Sequence, residues 1–216
     1  MRGILGLVFG SVILIYLISL FLMKHPFFQI REIKVSGLYV EEIEKIEKDI
    51  HALGRGLLVI PESNILELFN EKLNNRFQGV EINKRFSTEG ITIEMNFQRR
   101  KAISFVNINE KKFLMDMEGI FFWDEYQKPD KTLFIYSKEV FQFFKQKILK
   151  LLTQGNSVKV YKDKVMVDIG GKRFILPPLE DINEKEIHLM KKLLKLHPDA
   201  KIFDIRYKGF ILLNEG

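Results

Sequence analysis

From Ile91 to Phe97 apolar and polar residues alternate without a break: Ile91, Ile93, Met95 and Phe97 interleave with Thr92, Glu94 and Asn96. Successive side chains of a strand point to opposite faces, so this stretch is expected to be a strand with one buried face. A buried face needs a cover, and two stretches upstream can supply it. Val40, Ile43, Ile46, Ile50 and Leu53 recur at three and four residues, the period of one helix face, while Glu41, Glu42, Glu44, Lys45, Glu47 and Lys48 cover the other. Gly54 and Gly56 close that helix. A short apolar run, Leu57 to Ile60, precedes Pro61. A second helix then turns Ile65, Leu66, Phe69, Leu73 and Phe77 inward, and Asn74, Asn75, Gln78 and Gly79 mark its end. Ahead of both helices, Phe28 to Val35 is strand-like and is ended by Ser36 and Gly37. Behind them, Val80 and Ile82 begin a strand that reaches the turn Ser87-Thr88-Glu89-Gly90. The order is therefore β-α-α-β-β over about 70 residues, with two helices on one side of a small sheet.

The second half reads as shorter strands with two helices between them. Ile103 to Val106, Lys112 to Asp116, Ile120 to Trp123 and Leu133 to Tyr136 are strand-like. Ser137 can cap a helix whose inner stripe is Val140, Phe141, Phe144, Ile148, Leu151 and Leu152. Val158 to Tyr161 and Val165 to Asp168 form a hairpin across Lys162 and Asp163, and Gly170-Gly171 turns the chain into Arg173 to Leu176. Asn183 caps another helix, with Glu186 completing a capping box and Ile187, Met190, Leu193 and Leu194 inward. Lys201 to Arg206 and Gly209 to Leu213 close the chain as strands.

The start of the chain differs from all of this. Gly3 to Met23 holds no charged residue, and as a helix it would span roughly the 30 Å hydrocarbon core of a bilayer. It exceeds the apolar stretch of about 7–15 residues in a secretory signal peptide, and no small-residue cleavage site follows it. An uncleaved anchor is expected. Arg2 lies before it and Lys24, Arg31 and Lys34 after it, so flanking charge does not fix its direction. A two-residue tail ahead of the run and the bulk of the chain behind it suggest a cytoplasmic N-terminus. The expected architecture is α+β: a short cytoplasmic tail and transmembrane helix (1–25), a β-α-α-β-β domain (26–99), and a mixed, mostly antiparallel β domain with flanking helices (100–216).

Composition narrows the chemistry. The chain has no cysteine, which excludes disulfides, thiolate metal sites and cysteine nucleophiles. Hydrophobic residues make up 46% with 19 Phe, enough for real cores, so a disordered chain is not expected. His25, His51, His188 and His197 are scattered and lack any second-ligand motif, so they read as solvated rather than metal-binding. No G-x-S-x-G, P-loop or G-x-G-x-x-G occurs. Asp116, Glu118, Asp124 and Glu125 lie near a turn with nothing apolar to raise one pKa, and read as a solvated loop. No catalytic, cofactor-binding or metal-binding residue is expected, and no cofactor. Basic residues gather at Lys84-Arg85 and at Arg99-Arg100-Lys101, either as a solvated face or as a patch toward anionic lipid or an acidic partner.

These features, in this order, resemble the FtsQ/DivIB family of bacterial cell-division proteins. The β-α-α-β-β unit resembles their POTRA domain through Ile30-x-x-Ile33-x-Val35-x-Gly37 and Gly56-Leu57-Leu58-Val59-Ile60-Pro61. Gln98-Arg99-Arg100-Lys101-Ala102 stands where the family often has Glu-Arg-x-Pro, so Arg99 matches and the proline is missing. Phe86-Ser87 stands where an aromatic-proline pair is common. Leu114 to Phe121 resembles the Asp-x-x-Gly hairpin of the second domain, and Asp204-Ile205-Arg206-Tyr207-x-Gly209 the segment before the family's last strands.

The resemblance implies a non-catalytic, bitopic scaffold of the division machinery, single-pass in the cytoplasmic membrane through residues 3–23. Its bulk would be extracytoplasmic and found at the division septum. It implies FtsB/FtsL-like bitopic partners, captured during septum formation by strand addition at a C-terminal sheet edge, and no nucleic-acid partner. The residues it points to are Tyr207, Gly209, Phe210, Ile211 and Leu212, where one alternating set, Phe210 and Leu212 or else Ile211 and Leu213, would be core. The other reading is a POTRA-bearing envelope-assembly or export adaptor.

Overall fold

A computed structural model describes residues 12–18, 25 and 29–207 and the strand 212–214. The chain divides into two compact units, Met1–Arg100 and Lys101–Gly216.

The membrane anchor expected at the start requires correction. Within the Gly3–Met23 run, the described residues 12–18 are helical. Among the described residues no helix is long and apolar enough to cross a membrane. The rest of the Gly3–Met23 run lies outside the described residues. An apolar run of sufficient length is necessary for a crossing helix and does not by itself make one. The transmembrane helix, and the single-pass placement deduced from it, are therefore withdrawn; the α+β class with mixed sheets stands.

In the first unit, β1 (Ile30–Ser36) leads into α1 (Val40–Leu53), a 3-10 turn (Gly54–Leu58) and α2 (Glu62–Lys72), followed by β2 (Phe77–Ser87) and β3 (Gly90–Arg99). The sheet order is β1-β3-β2. β3 runs parallel to β1 and antiparallel to β2, with Ile33 opposite Ile93 and Ile82 opposite Met95. The alternation in β3 does what its period requires, since Ile91, Ile93, Met95 and Phe97 are all buried against Ile46, Ile50, Ile65 and Phe69 of the helices. Gly37 makes the turn out of β1 with φ +83°, and a Cβ there would lie 2.1 Å from the Phe97 carbonyl oxygen.

Two details differ from expectation. Val40, assigned to the inner stripe, is exposed because it is the first helical residue, while Glu42, assigned to the outer face, is buried. Phe77 begins β2 instead of ending α2, because Asn74 and Asn75 take left-handed conformations (φ +54° and +58°) that stop the helix.

In the second unit, β4 (Ser104–Ile108), β5 (Lys111–Met115), β6 (Phe121–Phe122) and β7 (Thr132–Ile135) precede α3 (Lys138–Gln154). Then come β8 (Ser157–Val160), β9 (Val165–Ile169), β10 (Lys172–Leu176), α4 (Glu184–Leu196), β11 (Ile202–Asp204) and β12 (Leu212–Asn214). The nine-stranded sheet has the order β12-β11-β10-β9-β8-β7-β4-β5-β6. The β4–β7, β7–β8 and β10–β11 pairs are parallel and the others antiparallel. Parallel neighbours need a crossover, and α3 and α4 supply two of them, between β7 and β8 and between β10 and β11. Both helices start at the caps read from the sequence. Ser137 Oγ accepts from Val140 N at 3.2 Å. Asn183 Oδ1 accepts from Lys185 N at 2.9 Å, and Glu186 Oε2 from Asn183 N at 2.9 Å. Phe141, Ile148, Leu151, Ile187, Met190 and Leu193 bury their stripes on Leu133, Val158, Val167 and Phe174 of the sheet.

Candidate functional site: the open edge of the large sheet

β12 ends the sheet, paired antiparallel to β11 with Asp204 opposite Leu212, Phe203 opposite Leu213 and Ile202 opposite Asn214. Among the described residues its other side has no strand. A strand paired on one side presents a row of backbone N–H and C=O groups to whatever approaches.

The strand that carries this edge is firmly held. Phe203 is fully buried and stacks on Phe174 of β10, with ring centroids 4.6 Å apart and planes 6° from parallel. Arg173 N donates to the Lys201 carbonyl at 2.8 Å, and Ile205 N to that of Ile175 at 2.9 Å. Lys172 Nζ donates to the carbonyls of Ala200, at 2.8 Å, and Pro198, tying down the loop that enters β11.

The chain then turns at Asp204-Ile205-Arg206. The guanidinium of Arg206 forks onto the Asp204 carboxylate, with Nε 2.9 Å from Oδ1 and Nη2 2.5 Å from Oδ2. Arg206 N also donates to Asp204 Oδ1 at 3.2 Å. The hydrogen bonds from the Arg206 side chain hold the Asp204 carboxyl below its ordinary pKa; partial burial opposes them and the Arg206 backbone N–H adds to them. The same fork raises the pKa of Arg206. Neighbouring Tyr207 is 62% exposed, its ring 5.5 Å from the Arg206 guanidinium carbon. Of the residues expected at the edge, Tyr207 is thus presented to solvent and Leu212 lies in β12. Gly209, Phe210 and Ile211 lie outside the described residues, as does the choice of which alternating set is core.

The basic segment after β3 has a different character. Arg99 points back onto α1, and Arg100 is buried, with Nε donating to the Asn75 carbonyl at 3.1 Å. Lys101 is exposed. The Arg99 guanidinium donates to both oxygens of Glu42 and lies 4.2 Å from the centre of the Tyr39 ring and 5.1 Å from that of Phe77. Arg76 Nη1 donates to Glu42 Oε1 at 2.9 Å, and Tyr39 N to Oε2 at 2.9 Å. Burial alone would raise the Glu42 pKa, but the hydrogen bonds from Arg99, Tyr39 N and Arg76 outweigh it and hold the carboxyl below its ordinary value. The three basic residues are therefore not one exposed face. Glu42 has a signal in the sequence, since the spacing Glu42, Ile46, Ile50 marks a buried stripe at intervals of four residues.

The carboxylates read as a solvated loop are also corrected in part. Asp116 and Asp124 are buried, and each carboxylate receives hydrogen bonds, Asp116 from backbone N–H groups and Asp124 from a backbone N–H and a side-chain amide. Asp116 Oδ1 accepts from Glu118 N at 3.0 Å and Ile120 N at 2.9 Å. Asp124 accepts from Tyr126 N at 3.1 Å and Gln127 Nε2 at 2.9 Å, and Gln127 Oε1 accepts from Ala102 N at 2.8 Å. Among the described residues no group of three His, Asp or Glu side chains is placed to hold a metal ion. No protein-family model matches the chain.

Proposed function

We propose that this chain is a non-catalytic scaffold of bacterial cell division, of the FtsQ/DivIB kind, that captures FtsB/FtsL-like partners by adding their strand to β12. The observation that carries this reading is that, among the described residues, β12 pairs on one side only, with β11. Strand addition draws its affinity from main-chain hydrogen bonds and its selectivity from side-chain pockets. The Asp204–Arg206 fork fixes where the chain leaves β11, and Tyr207 stands exposed just beyond it. The β-α-α-β-β order of the first unit is the order of a POTRA domain, which supports the same kinship. The test is capture of an FtsB-like segment by the full chain and by a chain ending at Arg206. Loss of capture, with the unfolding of the first unit unchanged, is expected; equal capture overturns strand addition at β12.

A second reading, a POTRA-bearing assembly or export adaptor, is favoured by one feature of the first unit. A groove of about 340 Å³ runs between the sheet-edge strand β1 and α1, lined by Ile30, Ile33, Val35, Ile43 and Ile50. An extended client could lie there. Capture that is lost on Ile43→Glu and kept on truncation at Arg206 would select this reading over the first.

A further inference from the structure

Charge is distributed unevenly around α4. Lys185, His188, Lys192 and Lys195 follow at steps of three, four and three residues and are all exposed, so they form one stripe along the helix. After Glu186 the helix contains no carboxylate, and Glu184 is paired with Lys150 of α3. Beside the stripe lie Leu189, half-buried, and Leu196, exposed, two helical turns apart on the same side. An open, shallow cleft of about 760 Å³ lies along this face, with Ile187 and Leu189 among its lining and the Lys150–Glu184 pair, His188 and Lys192 around them.

We propose that this face docks an acidic amphipathic helix of a protein partner. Its carboxylates would meet Lys185, Lys192 and Lys195, and its apolar row would cover Leu189 and Leu196. Charge complementarity commits the occupant to be anionic. The apolar seam commits it further, because a helix with an apolar stripe can use Leu189 and Leu196 and a phosphate backbone cannot. The surface also lacks what nucleic acid uses best. α4 has no arginine for bidentate phosphate contacts and no aromatic ring on which a base could stack. This surface is distinct from the β12 edge, and either can fail without the other.

The probe is a fluorescent peptide of about three heptads with a leucine stripe flanked by glutamates. It is titrated into the full chain alongside a scrambled peptide of the same composition, an oligo-dT and phosphatidylglycerol vesicles. The striped peptide is expected to bind at least about tenfold more tightly than the scramble. Binding is expected to weaken about tenfold in Lys185→Glu/Lys192→Glu, with the chain still folded by circular dichroism. Leu189→Ser is expected to weaken it with its salt dependence unchanged. Should the charge-reversed chain not fold, Lys185→Gln/Lys192→Gln carries the same expectation. Equal binding of the scramble, tighter binding of oligo-dT or vesicles, no binding of the striped peptide, or no effect of the substitutions overturns the proposal.

Discussion

Arg99 grips Glu42 at both carboxylate oxygens, with Nη2 2.5 Å from Oε2 and Nη1 3.2 Å from Oε1. Glu42 is only 2% exposed and sits between this guanidinium and that of Arg76, itself 5% exposed. The last residue of β3 and the residue before β2 are thereby tied to the first turn of α1. Glu42→Ala would leave two guanidinium groups without their shared anion. The expected loss is about 3–5 kcal/mol, read from urea unfolding of the full chain by a probe in the first unit.

The same carboxylate makes the first unit sensitive to acid. Its folded pKa is lowered from the ordinary 4.5, so its contribution is complete above that value and is lost as the pH falls through the lower folded value. The stability gap between the parent chain and Glu42→Gln should therefore narrow below pH 4.5 and stay constant above it. Chemical denaturation across that range checks the sign. A gap that widens in acid would show that the carboxylate is not held ionised.

Gly37 and Gly171 both have positive φ, yet substitution should affect them differently. At Gly37 a Cβ would meet the Phe97 carbonyl oxygen at 2.1 Å, whereas at Gly171 nothing lies within 4 Å. Gly171→Ala should cost only backbone strain, about 1–2 kcal/mol. Gly37→Ala adds a backbone clash that forces β1 and β3 apart, and should cost clearly more than Gly171→Ala. Paired thermal melts separate the two.

Asp116 staples its turn by accepting from the amides of Glu118 and Ile120. Asp116→Ala leaves those donors without their acceptor, and about 1–3 kcal/mol should be lost. Asp116→Asn keeps one acceptor oxygen and should recover part of that.

Local signals in the chain were legible, while the long-range assembly was not. The alternation from Ile91 to Phe97, the caps at Ser137 and Asn183, and the Gly170-Gly171 turn each act within a few residues and could be read directly. The spacing Glu42, Ile46, Ile50 carried a hint of burial, but the partners of Glu42, Arg76 and Arg99, lie 34 and 57 residues away and no local pattern names them. Asp116 and Asp124 looked solvated because backbone amides, which any sequence has, are among their partners. The parallel β4–β7 and β10–β11 pairings depend on which strands meet after crossovers, and no local period encodes that. The motif Asp204-Ile205-Arg206-Tyr207-x-Gly209 could be read as a string of residues; the Asp204–Arg206 fork within it became visible only in three dimensions.

Strand addition at β12 is tested most directly by hydrogen exchange of the full chain with and without a bound FtsB-like segment. Amides of residues 212–214 should gain protection on binding, together with a short run of amides in the partner, because a new ladder closes the open side. Tight binding that leaves exchange across 212–214 unchanged would contradict it.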